Sequence, residues 1–164
     1  MLRNQICNYY NCVKMNPSDS LDCLTLHGIK PSANRMAVLE YLMAHPTHPT
    51  VDEIYEGLRG SMPTLSKTTV YNALRLMVEH RAIRQLHTAD RQLCYDADTS
   101  DHAHFYCTQC GRFYDMKLRY HALDGAAIIP NNYFVEQTDL YMQGVCSACQ
   151  VKGKTLKPAG SIPS

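Results

Sequence analysis

The chain has 164 residues, 45% of them apolar and 19% charged, which is the composition of a folded protein with room for one ordinary domain or two small ones. No apolar stretch is as long as a transmembrane helix, and the N-terminus lacks the apolar segment of a signal peptide, so we expect a cytoplasmic protein without membrane contacts. The net charge of +1 is uneven, because residues 1–91 carry ten Lys/Arg against eight Asp/Glu and residues 92–150 carry three against seven. This split favours two domains with different partners.

The chain contains eight cysteines. In the cytoplasm such thiols are more often metal ligands, redox sensors or core residues than disulfides. Three of them fall within residues 1–23, where apolar periodicity is weak and residues 16–19 give a turn signal. We interpret residues 1–23 as an N-terminal extension. Its thiols are candidates for a redox switch, or else ordinary unpaired residues: Cys7, Cys12 and Cys23.

Two helices are predicted after the extension. Apolar residues from Met36 to Met43 recur at helical spacing and stop at residues 45–49, where two prolines prevent the helix from continuing. The second helix begins after Thr50, which is a good N-cap and has Glu53 at the capping-box position.

A third predicted helix, capped by Ser66, has one apolar and one polar face. Val70, Leu74 and Met77 recur at i, i+4 and i+7 and form the buried stripe. On the other face, hydroxyls, a lysine and a tyrosine suit DNA phosphates, while an asparagine and an arginine suit base edges in the major groove. The alternative is an ordinary surface helix. The residues that we expect to bind DNA are Ser66, Lys67, Thr68, Thr69, Tyr71, Asn72 and Arg75.

Two short β-rich segments, residues 83–87 and 92–95, follow the third helix and are predicted to form a hairpin. Three helices and a hairpin in this order are typical of a winged helix, in which the second helix of the helix-turn-helix pair enters the DNA groove. Arg84 and Arg91 would then be available on the wing for the DNA backbone.

The densest polar cluster follows the hairpin. His102 and His104 form a His-x-His unit, which places both imidazoles on one face of an extended segment and is a common start of a mononuclear metal site. Such a site, mixed with carboxylates, binds Fe²⁺, Mn²⁺ or Zn²⁺ with little selectivity. A solvated acidic loop with incidental histidines is the alternative. The candidate carboxylates are Asp96, Asp98, Asp101 and Asp115.

Two Cys-x2-Cys pairs give the strongest metal signal in the chain, with 35 residues between them. Four thiolates form a closed tetrahedral shell, which suits a structural Zn²⁺ and leaves no open position for chemistry. Gly111 and Gly144 flank the pairs and permit tight turns. The four expected ligands are Cys107, Cys110, Cys146 and Cys149.

Together these motifs resemble the ferric uptake regulator superfamily over residues 24–150. The resemblance is carried by the two Cys pairs and by residues 28–30, 48–55, 68–74 and 101–104. It implies a homodimeric, metal-dependent repressor that binds a double-stranded DNA operator. It also implies an α+β fold, made of a winged-helix DNA-binding domain (residues 24–95) and an α/β dimerisation domain (residues 96–150), which we expect to be followed by a flexible tail (residues 151–164).

The resemblance further implies a regulatory metal bound by ligands from both domains. Asp115 and Asn72 resemble the peroxide-stress branch, in which bound Fe²⁺ reacts with H₂O₂ and oxidises a ligand histidine, so that the repressor loses its metal and leaves the operator. Iron, zinc, haem or thiol sensing on the same scaffold is the alternative, and a metallohydrolase is a distant one. His48 and His102 are the candidates for oxidation. The implied ligands are His48, Asp96, His102, His104 and Asp115.

Some positions depart from the family pattern. Near residues 137–138 this chain lacks a histidine that in many relatives serves an additional metal site, so we expect two metals per subunit, a structural Zn²⁺ and a regulatory Fe²⁺ or Mn²⁺. His45 competes with His48 as a ligand. Cys94, two residues before Asp96, is either a small core residue or a low-pKa thiolate that acts as a redox or haem-binding group.

Overall fold

The computed structural model describes residues 19–88, 92–100, 102–118 and 139–151. They belong to two compact units, Met1–Asp101 and His102–Ser164. None of the helices within the described ranges is long and apolar enough to cross a membrane. The predicted positions that lie outside the described residues are Cys7, Cys12, Arg91, Asp101 and residues 152–164 of the tail.

In the described part of the first unit there are four helices and a β-hairpin. Their order is that of a helix-turn-helix followed by a wing, so the predicted winged-helix class is confirmed. Their bounds are α1 Ser20–Leu26, α2 Ala33–Ala44, α3 Val51–Leu58, α4 Lys67–Glu79, β1 Arg84–His87 and β2 Leu93–Asp96. The helices α3 and α4 are the helix-turn-helix pair, and β1 pairs with β2 in antiparallel register.

The predicted caps explain where α3 and α4 begin. The Glu53 N–H donates to Thr50 Oγ1 (3.3 Å), while a Glu53 carboxylate oxygen accepts the Thr50 N–H (2.7 Å), which completes a capping box. The Thr69 N–H donates to Ser66 Oγ (3.1 Å) at the start of α4. Each cap satisfies backbone N–H groups that have no partner inside the helix and contributes on the order of 1 kcal/mol.

Helix α1 was not predicted, because the sequence up to residue 23 reads as an extension. The helix has only seven residues, which is too short for a helical apolar pattern to be recognised. Its inward face nevertheless places Cys23 and Leu24 in the core, where they are 1% and 0% exposed. Ordered structure therefore reaches at least four residues further toward the N-terminus than expected.

The core of the first unit lies where α2, α3 and α4 pack together. Fully buried side chains from each helix meet there, among them Leu39, Ile54 and Leu74. Helices α2 and α3 approach closely at Gly57, where an added Cβ would lie 2.2 Å from the ring of Tyr41. This core supports the outward-facing surface of α4.

The second unit contains a three-stranded sheet in the order β4–β3–β5. The central strand β3 pairs with β4 in antiparallel register and with β5 in parallel register. The parallel pairing requires a long connection between β4 and β5, most of which lies outside the described residues. The bounds are β3 Ala103–Cys107, β4 Phe113–Met116, β5 Leu140–Gly144 and α5 Ser147–Val151.

Candidate metal centres and DNA-binding face

The pairing of β3 with β5 brings the two Cys-x2-Cys pairs together. Cys107 ends β3 and lies opposite Gly144 in the parallel register, so the turns that follow both strands emerge side by side. Gly111 has a φ of +67°, and its N–H closes the first turn on the Cys107 carbonyl (2.8 Å). In the second pair, Cys146 lies two residues beyond β5, and Cys149 lies in the first turn of α5, where its N–H donates to the Cys146 carbonyl (3.0 Å). The turn predicted at Gly111 is present, whereas Gly144 lies within a strand, where a Cβ would stand 3.3 Å from the Phe105 ring.

The four cysteine sulfurs fit a single tetrahedral ion. They all lie within 4.8 Å of one another, and Cys110 Sγ is 3.9 Å from Cys146 Sγ. In a tetrahedron with zinc–sulfur bonds of ~2.3 Å, two sulfurs are about 3.8 Å apart. Because the cluster offers four thiols and neither an imidazole nor a carboxylate, its chemistry suits Zn²⁺.

Hydrogen bonds prepare two of these thiols for a metal. Burial alone would raise the pKa of Cys107, but backbone N–H groups, led by that of Cys146 at 3.3 Å, lower this pKa to about 6. The Tyr114 hydroxyl donates to Cys146 Sγ (3.5 Å) and lowers the pKa of that thiol. The pKa of Cys149 is raised to about 12 by its hydrogen bond to Cys146. Cys149 therefore keeps its proton until a metal displaces it.

His102, His104 and Asp115 form a second group in the same unit, which we call the His/Asp cluster. The two histidines stand two residues apart on one face of the extended chain, and their Nε2 atoms are 2.8 Å apart. Asp115 is the cross-strand partner of His104. Its Oδ1 lies 3.6 Å from His102 Nε2 and 3.8 Å from His104 Nε2. Both imidazoles are buried, so the three side chains present nitrogen and oxygen donors to one small volume.

Aromatic rings fix the orientation of His104. Tyr141, its register partner on β5, stacks on the imidazole with ring centroids 5.7 Å apart, and Phe113 meets it edge-on at 6.3 Å. Neither aromatic contact was predicted, nor was the bond from Tyr114 to Cys146. These contacts depend on the pairing of strands that are distant in the sequence.

His48 and Asp96 form a pair within the first unit, with His48 Nε2 3.6 Å from Asp96 Oδ2. His48 has a φ of +55°, which is uncommon for a residue other than glycine and costs on the order of 1–3 kcal/mol. The next residue anchors this loop, because the Pro49 carbonyl accepts the Tyr95 N–H (3.1 Å). Asp96 Oδ1 accepts the Asp98 N–H (2.8 Å), which leaves Oδ2 toward the imidazole.

Two other candidate ligands have different roles. His45 is an exposed residue at the C-cap of α2, where its Nδ1 lies 2.8 Å from the Tyr41 carbonyl and its ring stacks on Tyr41. Asp98 Oδ1 accepts the Ser100 N–H (2.8 Å) and closes a turn. It is therefore His48, and not His45, that lies beside Asp96.

The predicted DNA-binding residues lie on the outward face of α4. Val70 and Leu74 are 0% exposed on the inward face, as the apolar spacing predicts. Ser66 and Thr69 are occupied by the helix cap, with their hydroxyl oxygens 2.8 Å apart. The remaining five are exposed: Lys67, Thr68, Tyr71, Asn72 and Arg75.

Three cations of the first unit already have partners within the protein. Arg84 of β1 is half-buried and donates from Nη2 to the Thr99 carbonyl (2.9 Å). Lys67 and Arg75 of α4 are exposed, but each forms an ion pair within the first unit.

The described thiols outside the four-cysteine cluster are core residues. Cys23 is 1% exposed in α1 and Cys94 is 5% exposed in β2. Burial, followed by the charge of Glu53, raises the pKa of Cys94 to about 11. A reactive thiolate requires a shift in the opposite direction. The Cys94 environment thus favours a small core residue over a redox or haem-binding group.

The sequence matches the Ferric uptake regulator family over residues 26–142. It is 36% identical over 137 residues to the peroxide operon regulator of Bacillus subtilis (strain 168), covering 82% of this chain and 93% of that protein. It is 33% identical over 135 residues to the peroxide-responsive repressor PerR of Staphylococcus aureus (strain Mu50), covering 82% of this chain and 91% of that protein.

Solved structures share the fold. The ferric uptake regulator Fur of Helicobacter pylori aligns with a TM-score of 0.65 at 21% identity and covers 83% of this chain and 95% of that chain. The Campylobacter jejuni peroxide stress regulator aligns with a TM-score of 0.59 at 25% identity and covers 79% of this chain and 98% of that chain.

Proposed function

The chain belongs to the ferric uptake regulator family, and from this we propose that it is a metal-dependent, DNA-binding transcriptional repressor that responds to peroxide. The observation that carries the proposal is the identity above 30%, over four-fifths of the chain, to two regulators named for peroxide. Because the matching family and relatives are regulators, the metallohydrolase alternative has no support. Such a protein acts on DNA in the cytoplasm, as a homodimer on a palindromic operator.

We assign a structural Zn²⁺ to the four cysteines. Their sulfur spacing and the lowered pKa of Cys107 support this assignment. When bound, the ion cross-links the turn after β3 to the turn after β5. Its shell is closed, so it has no open position at which peroxide or a substrate could bind.

We assign the regulatory Fe²⁺ or Mn²⁺ to His48, Asp96 and the His/Asp cluster. The nitrogen and oxygen donors suit these ions, and neither group alone supplies more than three ligands. Two ligands belong to the first unit and three to the second. One ion bound by all five makes metal affinity and the DNA-competent arrangement of the units a single linked equilibrium.

Peroxide sensing follows from the chemistry that bound Fe²⁺ supplies, which is oxidation of a ligand by H₂O₂. A ligand histidine that gains an oxygen atom binds the ion less well, and the repressor then releases its operator. The protein itself positions the oxidisable side chains and keeps them buried, since His48 and His102 are only 4% and 9% exposed.

The test is a peptide mass map of the Fe²⁺-loaded protein after stoichiometric H₂O₂, combined with operator binding before and after. We expect a mass increase of one oxygen atom on His48 or His102 together with loss of DNA binding. Protein carrying Zn²⁺, which has no redox chemistry, is the control and should show neither change. Disulfides among Cys7, Cys12, Cys23 and Cys94 without histidine oxidation would instead favour a thiol sensor.

A second experiment tests the repressor function itself. The metal-loaded protein is used to select duplexes from a random DNA library, and the enriched sequence is compared with a scrambled duplex of the same composition. We expect a palindromic sequence whose binding requires Fe²⁺ or Mn²⁺ in addition to the structural zinc. If no metallated form enriches any sequence, the protein is not a repressor of this kind.

A further inference from the structure

We propose that Asp52 and Glu79 hold the two cations of α4 in the free protein and thereby weaken its binding to DNA. The inference rests on the proposed DNA-binding function and names residues that set its affinity. Both carboxylates neutralise a side chain that we expect to reach DNA, and both must be displaced before that side chain can bind a phosphate or a base.

The stronger of the two pairs joins the two helices of the helix-turn-helix. Lys67 Nζ, in the first turn of α4, lies 2.9 Å from Asp52 Oδ1, in the first turn of α3. Both side chains are largely exposed, at 56% and 67%, so burial does not fix the pair. A hydrogen bond from the ammonium to Asp52, with a smaller effect from Glu56, raises the pKa of Lys67. The amine is therefore a charged group whose partner is a carboxylate of the protein.

The Asp52–Lys67 pair matters for DNA binding because of the position of Asp52 in α3. In a helix-turn-helix the first helix crosses the DNA backbone while the second enters the major groove. Here the first helix is α3, which carries Asp52 and Glu53 in its first turn and Glu56 one turn later. Glu53 is used by the capping box, and Glu56 pairs with Arg59 (2.8 Å). Asp52 is the one of these three that forms an ion pair with a residue of α4.

The second pair lies further along α4. Arg75 Nη1 is 3.8 Å from Glu79 Oε1, one helical turn away. A cation placed before an anion at this spacing opposes the helix dipole and is the weaker orientation. We therefore expect Glu79 to have the same effect as Asp52 on a smaller scale.

Removing one of these carboxylates should change the DNA-binding constant modestly and should also change how that constant depends on salt. Exposed ion pairs of this kind are equivalent to about a two- to fivefold change in a binding constant. DNA binding releases about 0.9 counterions for each phosphate neutralised. When Lys67 leaves Asp52 for a phosphate, the freed carboxylate attracts cations from solution and offsets part of this release. Removing the carboxylate should therefore steepen the dependence of log K on log [salt], by less than about 0.9 per subunit.

The experiment measures DNA binding by the Asp52→Asn variant, using fluorescence anisotropy at several salt concentrations. The full-length, metal-loaded protein is titrated with the selected duplex and with its scrambled version. We expect binding to both duplexes to tighten about two- to fivefold for each subunit that contacts the DNA. Asp22→Asn is the matched control, because it removes an exposed carboxylate of α1 that is not the partner of Lys67 or Arg75. It should leave the salt slope unchanged.

A double-mutant cycle tests whether Asp52→Asn acts by freeing the Lys67 side chain or only by changing the net charge of the protein. In a Lys67→Met background, Asp52→Asn should lose most of its effect on affinity and slope. Weaker DNA binding by Asp52→Asn would mean that the carboxylate orients Lys67 onto a phosphate, and the proposal would be wrong. An unchanged slope would also overturn it. If instead the wild-type protein fails to discriminate between the duplexes in any metallated form, it is the repressor function that fails.

Discussion

Replacing Cys107 with serine should unfold the second unit while leaving the first unit folded. The proposed structural Zn²⁺ would tie the turn after β3 to the start of α5, and Cys110 and Cys146 lie 36 positions apart. Treated as a cross-link, a closed loop of this length lowers the entropy of the unfolded chain by an amount equivalent to about 4 kcal/mol at 25 °C. Small domains are stable by only about 5–15 kcal/mol in total, so loss of the ion removes much of what holds the sheet together.

The assay has two readouts on the same sample. Zinc per subunit is measured after dialysis, and hydrogen exchange is followed separately in the two units. We expect Cys107→Ser to bind less than one zinc per subunit and to exchange rapidly across β3 and β5. Helices α2 and α4 should stay protected, because they have their own core. Gln109→Ala is the matched control, since it alters a side chain of the same turn that is not a ligand.

Two outcomes would refute this reasoning. If Cys107→Ser retained one zinc per subunit and normal protection of β3, Cys107 would not be a structural ligand. If Cys107→Ser lost its zinc but the sheet stayed protected, Cys107 would be a metal ligand in the wild-type protein. The bound ion would then not be needed to stabilise the fold. The control separates both cases from a general sensitivity of the turn to substitution.

Three further predictions follow. Gly57→Ala should lower the free energy of unfolding by about 1–3 kcal/mol despite the higher helix propensity of alanine, because its Cβ would lie 2.2 Å from the Tyr41 ring; thermal unfolding checks this. The zinc dissociation constant, measured with a competing chelator, should rise at least about tenfold as pH falls from 8 to 7, since the Cys149 thiol, with a pKa of about 12, must lose its proton to bind. A zinc dissociation constant that does not change with pH would mean that zinc binding does not require loss of this proton. His104→Ala should abolish Mn²⁺ binding at the regulatory site in calorimetry, and His45→Ala should not.

The parts of the fold that depend on local chemistry were predictable from sequence. The caps at Thr50 and Ser66 are side-chain bonds across three residues, so their spacing is visible in the chain itself. The apolar stripe of α4 is similarly local. The same holds for the two Cys pairs, because in each pair two thiols stand three positions apart and lie close together. In these cases a short pattern admits few structures, and the expected one is present.

The parts that depend on contacts between distant segments were not predictable. Nothing near Tyr141 indicates that its ring stacks on His104, because that contact requires the parallel pairing of β3 with β5. The left-handed backbone at His48 is likewise set by the tertiary anchoring of the residues around it. Sequence reasoning could name His48 only through the family resemblance, and it left His45 as a competitor until the contact with Asp96 was known.

Strand β3 connects the structural site to the His/Asp cluster. It carries His104 near its start and Cys107 at its end, and its two neighbours supply Asp115 on one side and Tyr141 on the other. A metal that fixes the end of β3 against β5 therefore also fixes the register that orients His104. Loss of the structural zinc should abolish regulatory metal binding even though no regulatory ligand has changed. Substitutions at the four cysteines consequently cannot reveal whether thiols sense the signal, and only oxidation of the zinc-loaded protein can separate sensing from folding.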